Sequence, residues 1–206
     1  HLVQVLVGAV PAHGQRIDQP AERPSVRKAA LGSLVSKSCH SLALLGNNLI
    51  GNKREVREEL LPALIAWQRG RRGISFYTQA SINLADDGAL MDSMVEAGFR
   101  TVFIGIETPD DAGLRQCHKR QNRGRDLVAD VRRIQRAGLQ VHGGFIIGFD
   151  SDTPSVFQRQ IEFIERSGIV VAMVGLLNAA PQTRLYERLK REGRLLGEMT
   201  GDNVDG

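Results

Sequence analysis

The chain has 206 residues, 42% of them hydrophobic, with 27 basic and 23 acidic side chains for a net charge of +4 and only two cysteines. That is apolar material for a single core, too little cysteine for a disulfide framework, and nowhere an apolar run near the ~18 residues a membrane helix needs. A nucleic-acid surface is disfavoured too, because aromatics make up 5% of the chain and its basic clusters, 69–72 and 118–125, read as solvated faces.

In chain order, residues 1–10 ("HLVQVLVGAV") can form a first strand, whereas 11–40 are rich in Pro, Arg, Ser and Gln and lack any strand and helix rhythm. That rhythm starts at 41–46, a short apolar strand, and continues in 53–70, where apolar residues recur at helical spacing before a glycine stop. Residues 74–81 are β-branched and aromatic, hence a strand, and 86–98 open with acids and close on Ala-Gly, hence a helix. The strand 101–107, the helix 125–138 and the strand 139–149 follow. The helix 153–168 has Thr153 as N-cap and Pro154 at its first position. A strand at 170–177 and a helix at 183–193 complete five strand and helix units.

Strands separated by helices pair in parallel, because only a crossover returns the chain to the same edge. A spacing of ~30 residues per unit and near-continuous apolar strands predict a partial TIM-type (β/α) barrel with outer helices, with a doubly wound sheet as the alternative. Both architectures bind ligands at the carboxyl ends of strands. Those ends carry Gln79, Ser81 and Asn83, then Glu107 and Thr108, then Gly148 and Asp150, then Asn178. In "GGFIIGFDSDTP", 143–154, glycines let the backbone approach a flat ligand or a neighbouring strand. Each feature also has an ordinary reading: Asp150 and Asp152 as helix-entry caps, Glu107 as a cap or an ion-pair partner, Trp67 as packing on the barrel's outside, His142 as a neutral packed residue. Lys119, Gln121 and Asn122 likewise read first as polar residues at a helix start.

Taken in order, "FIGIETPDD", "GLQVHGGFIIGFDSDT" and "LLNAAPQTRLYERLKREGRL" resemble the later half of a radical S-adenosylmethionine core. The resemblance extends through "NNLIGNKREVREELLPALIAWQ" and "FYTQASINLADD" to the cobalamin-binding type that includes hopanoid methylases. It implies a partial barrel of six units, of which this chain looks like units two to six, and a division into an atypical segment 1–47 and a partial core 48–206, truncated at both ends. It further implies S-adenosylmethionine as cofactor, a 4Fe-4S cluster, cobalamin in the full-length protein, and radical chemistry of the methyltransferase kind on a small, lipid-like substrate. Glu107 and Gly105 match the strand end that meets the ribose or methionyl group, and a carboxylate there accepts hydrogen bonds from hydroxyls or an ammonium. Gln79 and Ser81 match the preceding strand end, Ile146, Ile147 and Gly148 match the strand along which adenine lies, and Lys119, Gln121 and Asn122 in "KRQN" also resemble family sequence, which would have them shape the loop near the ligand. Gln182 stands where the family usually has glycine after Pro181, so a turn of different shape is expected.

The cluster motif CxxxCxxC is absent: Cys39 and Cys117 are single, and one thiolate does not replace three. No catalytic or metal residue is therefore assigned, and this chain alone is expected to be inactive. Residues before about 48 are expected to be out of frame or otherwise foreign to the family; a three-cysteine motif in another frame of the gene would support this, and its absence from both other frames would sink it. Two other readings stand beside the enzyme: a non-catalytic remnant that keeps the S-adenosylmethionine cleft, and an Arg-rich RNA-binding module. The expected location is the cytoplasm, since no signal-peptide pattern is present.

Overall fold

A computed structural model describes residues 2–6, 41–45, 48–70 and 73–195. Most of the segment 1–47 expected to be atypical, and Cys39 with it, lies outside the described residues. The six described strands are β1 (Leu2–Leu6), β2 (Ser41–Leu45), β3 (Ser75–Gln79), β4 (Phe99–Glu107), β5 (Gln140–Ile147) and β6 (Val171–Leu176). All neighbours are parallel, and their order in the sheet is their order in the chain.

That order decides between the two expected architectures. A doubly wound sheet reverses its strand order at a switch point and carries helices on both faces. A sheet that advances in one direction, with crossovers of one hand, places its helices on one face and curls around the other, as a barrel does. Burial alternates accordingly. Phe76, Val102, Ile104, Ile106 and Val141 face the helices and are sealed, whereas Tyr77, Gln79, Thr101, Phe103, Gly105 and His142 are half-buried on the concave face. The strands are thus not buried equally on both faces, as a near-continuous apolar run predicts; polar residues alternate into the run on the side that curves around the site.

The helical layer begins at Lys53–Glu55, widens into a π-helical turn at Val56–Leu60 and continues as Leu61–Gln68; together these form α1. The widening has a local cause. Pro62 has no N–H and its ring would collide with the carbonyl four residues back, and the π turn, in which Leu61 N–H donates to Val56 O, makes room. α2 (Gly88–Glu96) is capped by Asp87, whose carboxylate accepts from Leu90 N–H at 3.1 Å. α3 (Asp111–Gln116) is a short helix that periodicity did not predict, capped by Asp110. α4 (Leu127–Arg136) is capped by Asp126 and closes on Gly138 at φ 98°. α5 (Ser155–Ser167) has no side-chain cap, so Thr153 does not act as expected: its carbonyl accepts from Val156 N–H while its hydroxyl meets that of Ser155. α6 (Arg184–Arg191) is capped by Thr183. No described helix is long and apolar enough to cross a membrane.

The core lies between helices and sheet. Met91 and Met94 from α2, Val131 and Ile134 from α4, and Leu61 and Leu64 from α1 pack on the sealed strand face. Phe76 stands between Trp67 at 6.0 Å and Phe99 at 5.3 Å, which places Trp67 in the outer layer, as expected.

One ion-pair network ties the turn before α2 to α4. Arg125 donates to both oxygens of Asp86, at 2.8 and 2.6 Å, and to Asp130 at 2.7 Å, and this hydrogen bonding holds the Asp86 carboxyl below its usual range. A carboxylate whose pKa falls on folding contributes stability above the unfolded value of about 3.9 and loses it as pH drops through the lower folded value. Asp86→Asn should therefore be slightly less stable than the parent at neutral pH, with the difference closing in acid. Because the Asp86 side chain is 48% exposed, the effect should stay within about 1 kcal/mol. Thermal unfolding of both proteins across pH 2 to 7, roughly the span of the carboxylate transition, checks it.

Candidate functional site

The site is built on an irregularity in β4. Gly105 pairs with Gly144, but Glu107 pairs with Phe145, so Ile106 is an extra residue and the strand bulges. Directly after it Glu107 takes φ 66°, and Thr108 N–H donates to Ile106 O at 2.9 Å. This is a γ-turn of the positive-φ kind, a strained conformation for a residue with a side chain. Two contacts hold it. Thr108 is fully buried and its hydroxyl accepts from Asp110 N–H, and Asn122, 1% exposed, donates to the carbonyls of both Gly105 and Ile106 at 3.0 Å.

The turn folds the Glu107 carboxylate back over the strand end, where Lys119 Nζ donates to Oε1 at 2.6 Å. The pair is mostly enclosed, at 25% exposure for Lys119 and 16% for Glu107. Gly105 leaves room for it: a Cβ there would lie 2.5 Å from Glu107 Oε1 and 2.9 Å from Lys119 Nζ, so the pair would have to shift. The ordinary reading of Glu107 expected an arginine as its ion-pair partner; the partner is Lys119 instead, and the pair sits in a cavity of about 270 Å³.

Gln79, Ala80 and Ser81 from the end of β3 form one wall of this cavity; Phe103, Gly105 and Glu107 form the floor; Lys119 and Gln121 close the other side. Asn48 reaches in from before α1, where its Oδ1 accepts from Ser81 N–H and its Nδ2 donates to Ser81 Oγ, both at 3.1 Å. Four expected residues, Gln79, Ser81, Gly105 and Glu107, are therefore brought together. Asn48, Lys119 and Gln121 join them without having been assigned; the signal for Lys119 and Gln121 was the resemblance of "KRQN" to family sequence, and Asn48 lies at the start of the segment expected to be family core.

Ile146, Ile147 and Gly148 lie outside the cavity, at the end of the adjacent strand β5. Gln160, 3% exposed, donates to Ile146 O at 2.9 Å, and Leu177 N–H donates to Ile147 O at 2.7 Å. Asp152 is not a helix cap: its Oδ2 accepts from the N–H groups of Gly148 and Phe149, at 2.8 and 3.0 Å, and shapes the loop. Nor is Asp150, which accepts from Arg188, Arg194 and Gln116 and so fastens α6 to the loop after β5.

The glycine pair in β5 approaches protein rather than an open surface. A Cβ on Gly144 would lie 2.5 Å from the Phe103 ring, and one on Gly143 would lie 2.7 Å from the Phe145 ring. Beside Phe103, the rings of Tyr77 and His142 meet at 5.7 Å, tilted by 53°, and burial holds the His142 pKa below its ordinary value, in keeping with a neutral imidazole. Gln182 takes φ 67°, a glycine-like backbone conformation for a residue with a side chain. Burial raises the Cys117 thiol pKa, which leaves it unactivated. Among the described residues no three His, Cys, Asp or Glu are grouped to hold a metal. With two cysteines in the whole chain, the residues present do not fit a 4Fe-4S cluster.

No family model matches the chain. It is 44% identical over 163 residues to an uncharacterised methyltransferase of Synechocystis sp., covering 79% of this chain and 30% of that protein. It is 39% identical over 168 residues to the hopanoid C-2 methylase of Rhodopseudomonas palustris, covering 80% and 32%. The chain thus spans about a third of the length of these relatives. Among solved structures it is similar to TsrM from Kitasatospora setae, a radical S-adenosylmethionine methyltransferase with cobalamin and a 4Fe-4S cluster bound, at a TM-score of 0.67 and 13% identity over 90% of this chain and 37% of that one. That likeness is one of fold.

Proposed function

Since the chain belongs to the cobalamin-type, hopanoid-methylase-like branch of the radical S-adenosylmethionine family, we propose that the cavity at the ends of β3 and β4 binds S-adenosylmethionine. The observation that carries this reading is the enclosed Glu107–Lys119 pair facing Gln79 and Ser81 across a small polar cavity. Glu107 offers acceptors to vicinal ribose hydroxyls or to an ammonium, Gln79 offers a neutral donor and acceptor opposite it, and Ser81 Oγ, which donates its own hydrogen to Asn83 Oδ1, offers an acceptor. At about 270 Å³ the cavity is below the usual range of about 300 to 1,000 Å³ for a whole cofactor. It takes the polar part of the ligand, and the adenine extends toward Ile146, Ile147 and Gly148 on the adjacent strand.

The reaction of the whole protein, on this reading, is methyl transfer to a small, lipid-like substrate in the cytoplasm, with cobalamin and a cluster held by parts of the protein other than the residues described. What this chain's own residues do is bind and orient. Three cluster thiolates are not among them, so turnover by the chain alone is not assigned. An RNA-binding role is disfavoured by the state of the basic cluster: Arg123 is paired with Asp111, and Arg125 with Asp86 and Asp130.

Calorimetric titration of the chain with S-adenosylmethionine tests the reading. The parent should bind, and Glu107→Ala should bind at least ~10-fold more weakly, since a hydrogen bond to a charged group contributes about 1.5 to 3 kcal/mol. Equal affinity in the variant would remove Glu107 from the site; no binding by the parent would remove the site itself.

A further inference from the structure

We propose that Asn122 is a positioning residue for this site, gripping the backbone of the β4 bulge so that the Glu107 carboxylate is presented to the ligand. The proposal rests on the reading of the cavity as an S-adenosylmethionine site and adds to it a residue that touches neither the cavity nor the ligand.

Asn122 closes a 3-10 turn, Arg120–Asn122, whose entry residue is Lys119, and Asn122 N–H donates to Lys119 O at 3.1 Å. This short stretch therefore acts on the site three times. Lys119 takes the Glu107 carboxylate, Gln121 lines the cavity, and Asn122 reaches to the carbonyls of the two peptides that flank Ile106, those of Gly105 and Ile106. Glu107 is held at both ends, its side chain by Lys119 and its backbone by Asn122.

The side-chain chemistry is specific to a carboxamide. A single nitrogen with two N–H donors serves two successive carbonyls, which an aspartate, having only acceptors, would repel. The other half of the group is left without compensation: Asn122 Oδ1 is buried and has no partner among the described residues. An unsatisfied buried acceptor is unfavourable, so the residue is a poor choice for packing alone and a good one for supplying two donors. Those donors act where the backbone most needs them, at a bulge followed by a side-chain-bearing residue at φ 66°. Without them Glu107 can relax to negative φ, and its carboxylate then swings away from Lys119 and the cavity.

Two double-mutant cycles test this. In the first, S-adenosylmethionine affinity is measured for the parent, Asn122→Ala, Glu107→Ala and the double variant. Asn122→Ala should weaken binding by ~10-fold, and it should add nothing in the Glu107→Ala background; losses that multiply would overturn the proposal, because they would mean that Asn122 acts independently of Glu107. In the second, melting temperatures are compared with Glu107 or Glu107→Gly. Glycine accepts positive φ without strain, so Asn122→Ala should lower the melting temperature less with glycine at 107 than with glutamate; equal losses would overturn the proposal. If Asn122→Ala does not fold, Asn122→Ser, which keeps one donor, enters both cycles with the same signs expected. Failure of the parent to bind S-adenosylmethionine would sink the functional reading by itself, and the melting cycle, which needs no ligand, would still decide whether Asn122 holds the turn.

Discussion

Gly105→Val should weaken S-adenosylmethionine binding by more than ~10-fold while leaving the protein folded. The first carbon of any side chain at 105 falls within 3 Å of both partners of the Glu107–Lys119 pair, and the two valine methyls would extend further into a cavity of only about 270 Å³. Pair and side chain cannot share that space, so either the ion pair opens or the cavity fills. Both outcomes remove the polar contacts proposed for the ligand, and a loss of more than ~10-fold in affinity is expected. The cost to the fold should be smaller than for an overpacked core, toward the lower end of about 1 to 3 kcal/mol, because the clashing atoms are the mobile ends of two side chains on the half-open concave face. Valine also suits a strand. Titration with S-adenosylmethionine, paired with a melting curve, separates the two effects. A variant that binds like its parent would show that the ligand does not occupy this cavity.

The largest effect on stability is expected from Phe76→Ala. Phe76 is 1% exposed and lies between Trp67 and Phe99, so it joins α1 to β3 and β4 through one aromatic stack. Truncating a buried phenylalanine costs about 3 to 5 kcal/mol through lost burial and the cavity left behind, a large part of the ~5 to 15 kcal/mol that holds a domain together. For a chain of this size the melting temperature should fall by roughly 6 to 20 °C. Phe76→Leu fills most of the volume and should lose much less. Because Phe76 faces the helices and Gln79 the cavity, the fraction that remains folded should keep its ligand affinity. A decrease below about 1 kcal/mol for Phe76→Ala would mean that the stack does not carry the core in solution.

Much of the site was legible because it lies at strand ends, and strand ends follow from local pattern. Gln79, Ser81 and Glu107 were picked out as polar residues terminating apolar runs, Gly105 came from the family resemblance, and the sheet brings the four together around one cavity. The ends of the helices were equally local: Asp87, Asp126 and Thr183 cap the following turns, and Gly98, Gly138 and Gly168 leave the helices at positive φ, as glycines after a run of helical spacing should. Asp150 and Asp152 were misread because an acid before a helix has several partners within reach. Here the loop N–H groups and the arginines of the C-terminal segment, 38 and 44 residues away for Asp150, compete with the helix and win.

The sequence by itself determined the alternation of strands and helices, their parallel pairing, and the carboxyl ends of the strands as the place of the candidate site, since periodicity and crossover length are properties of neighbouring residues. Only the tertiary structure decided that the sheet advances in one direction, that Lys119 meets Glu107 across 12 residues, and that Asn122 holds the β4 bulge across 16 and 17. The reason is physical. A strained γ-turn at a residue with a side chain is unfavourable by about 1 to 3 kcal/mol on its own and exists only because hydrogen bonds from a distant turn offset it, and such bonds leave no period in the chain that makes them.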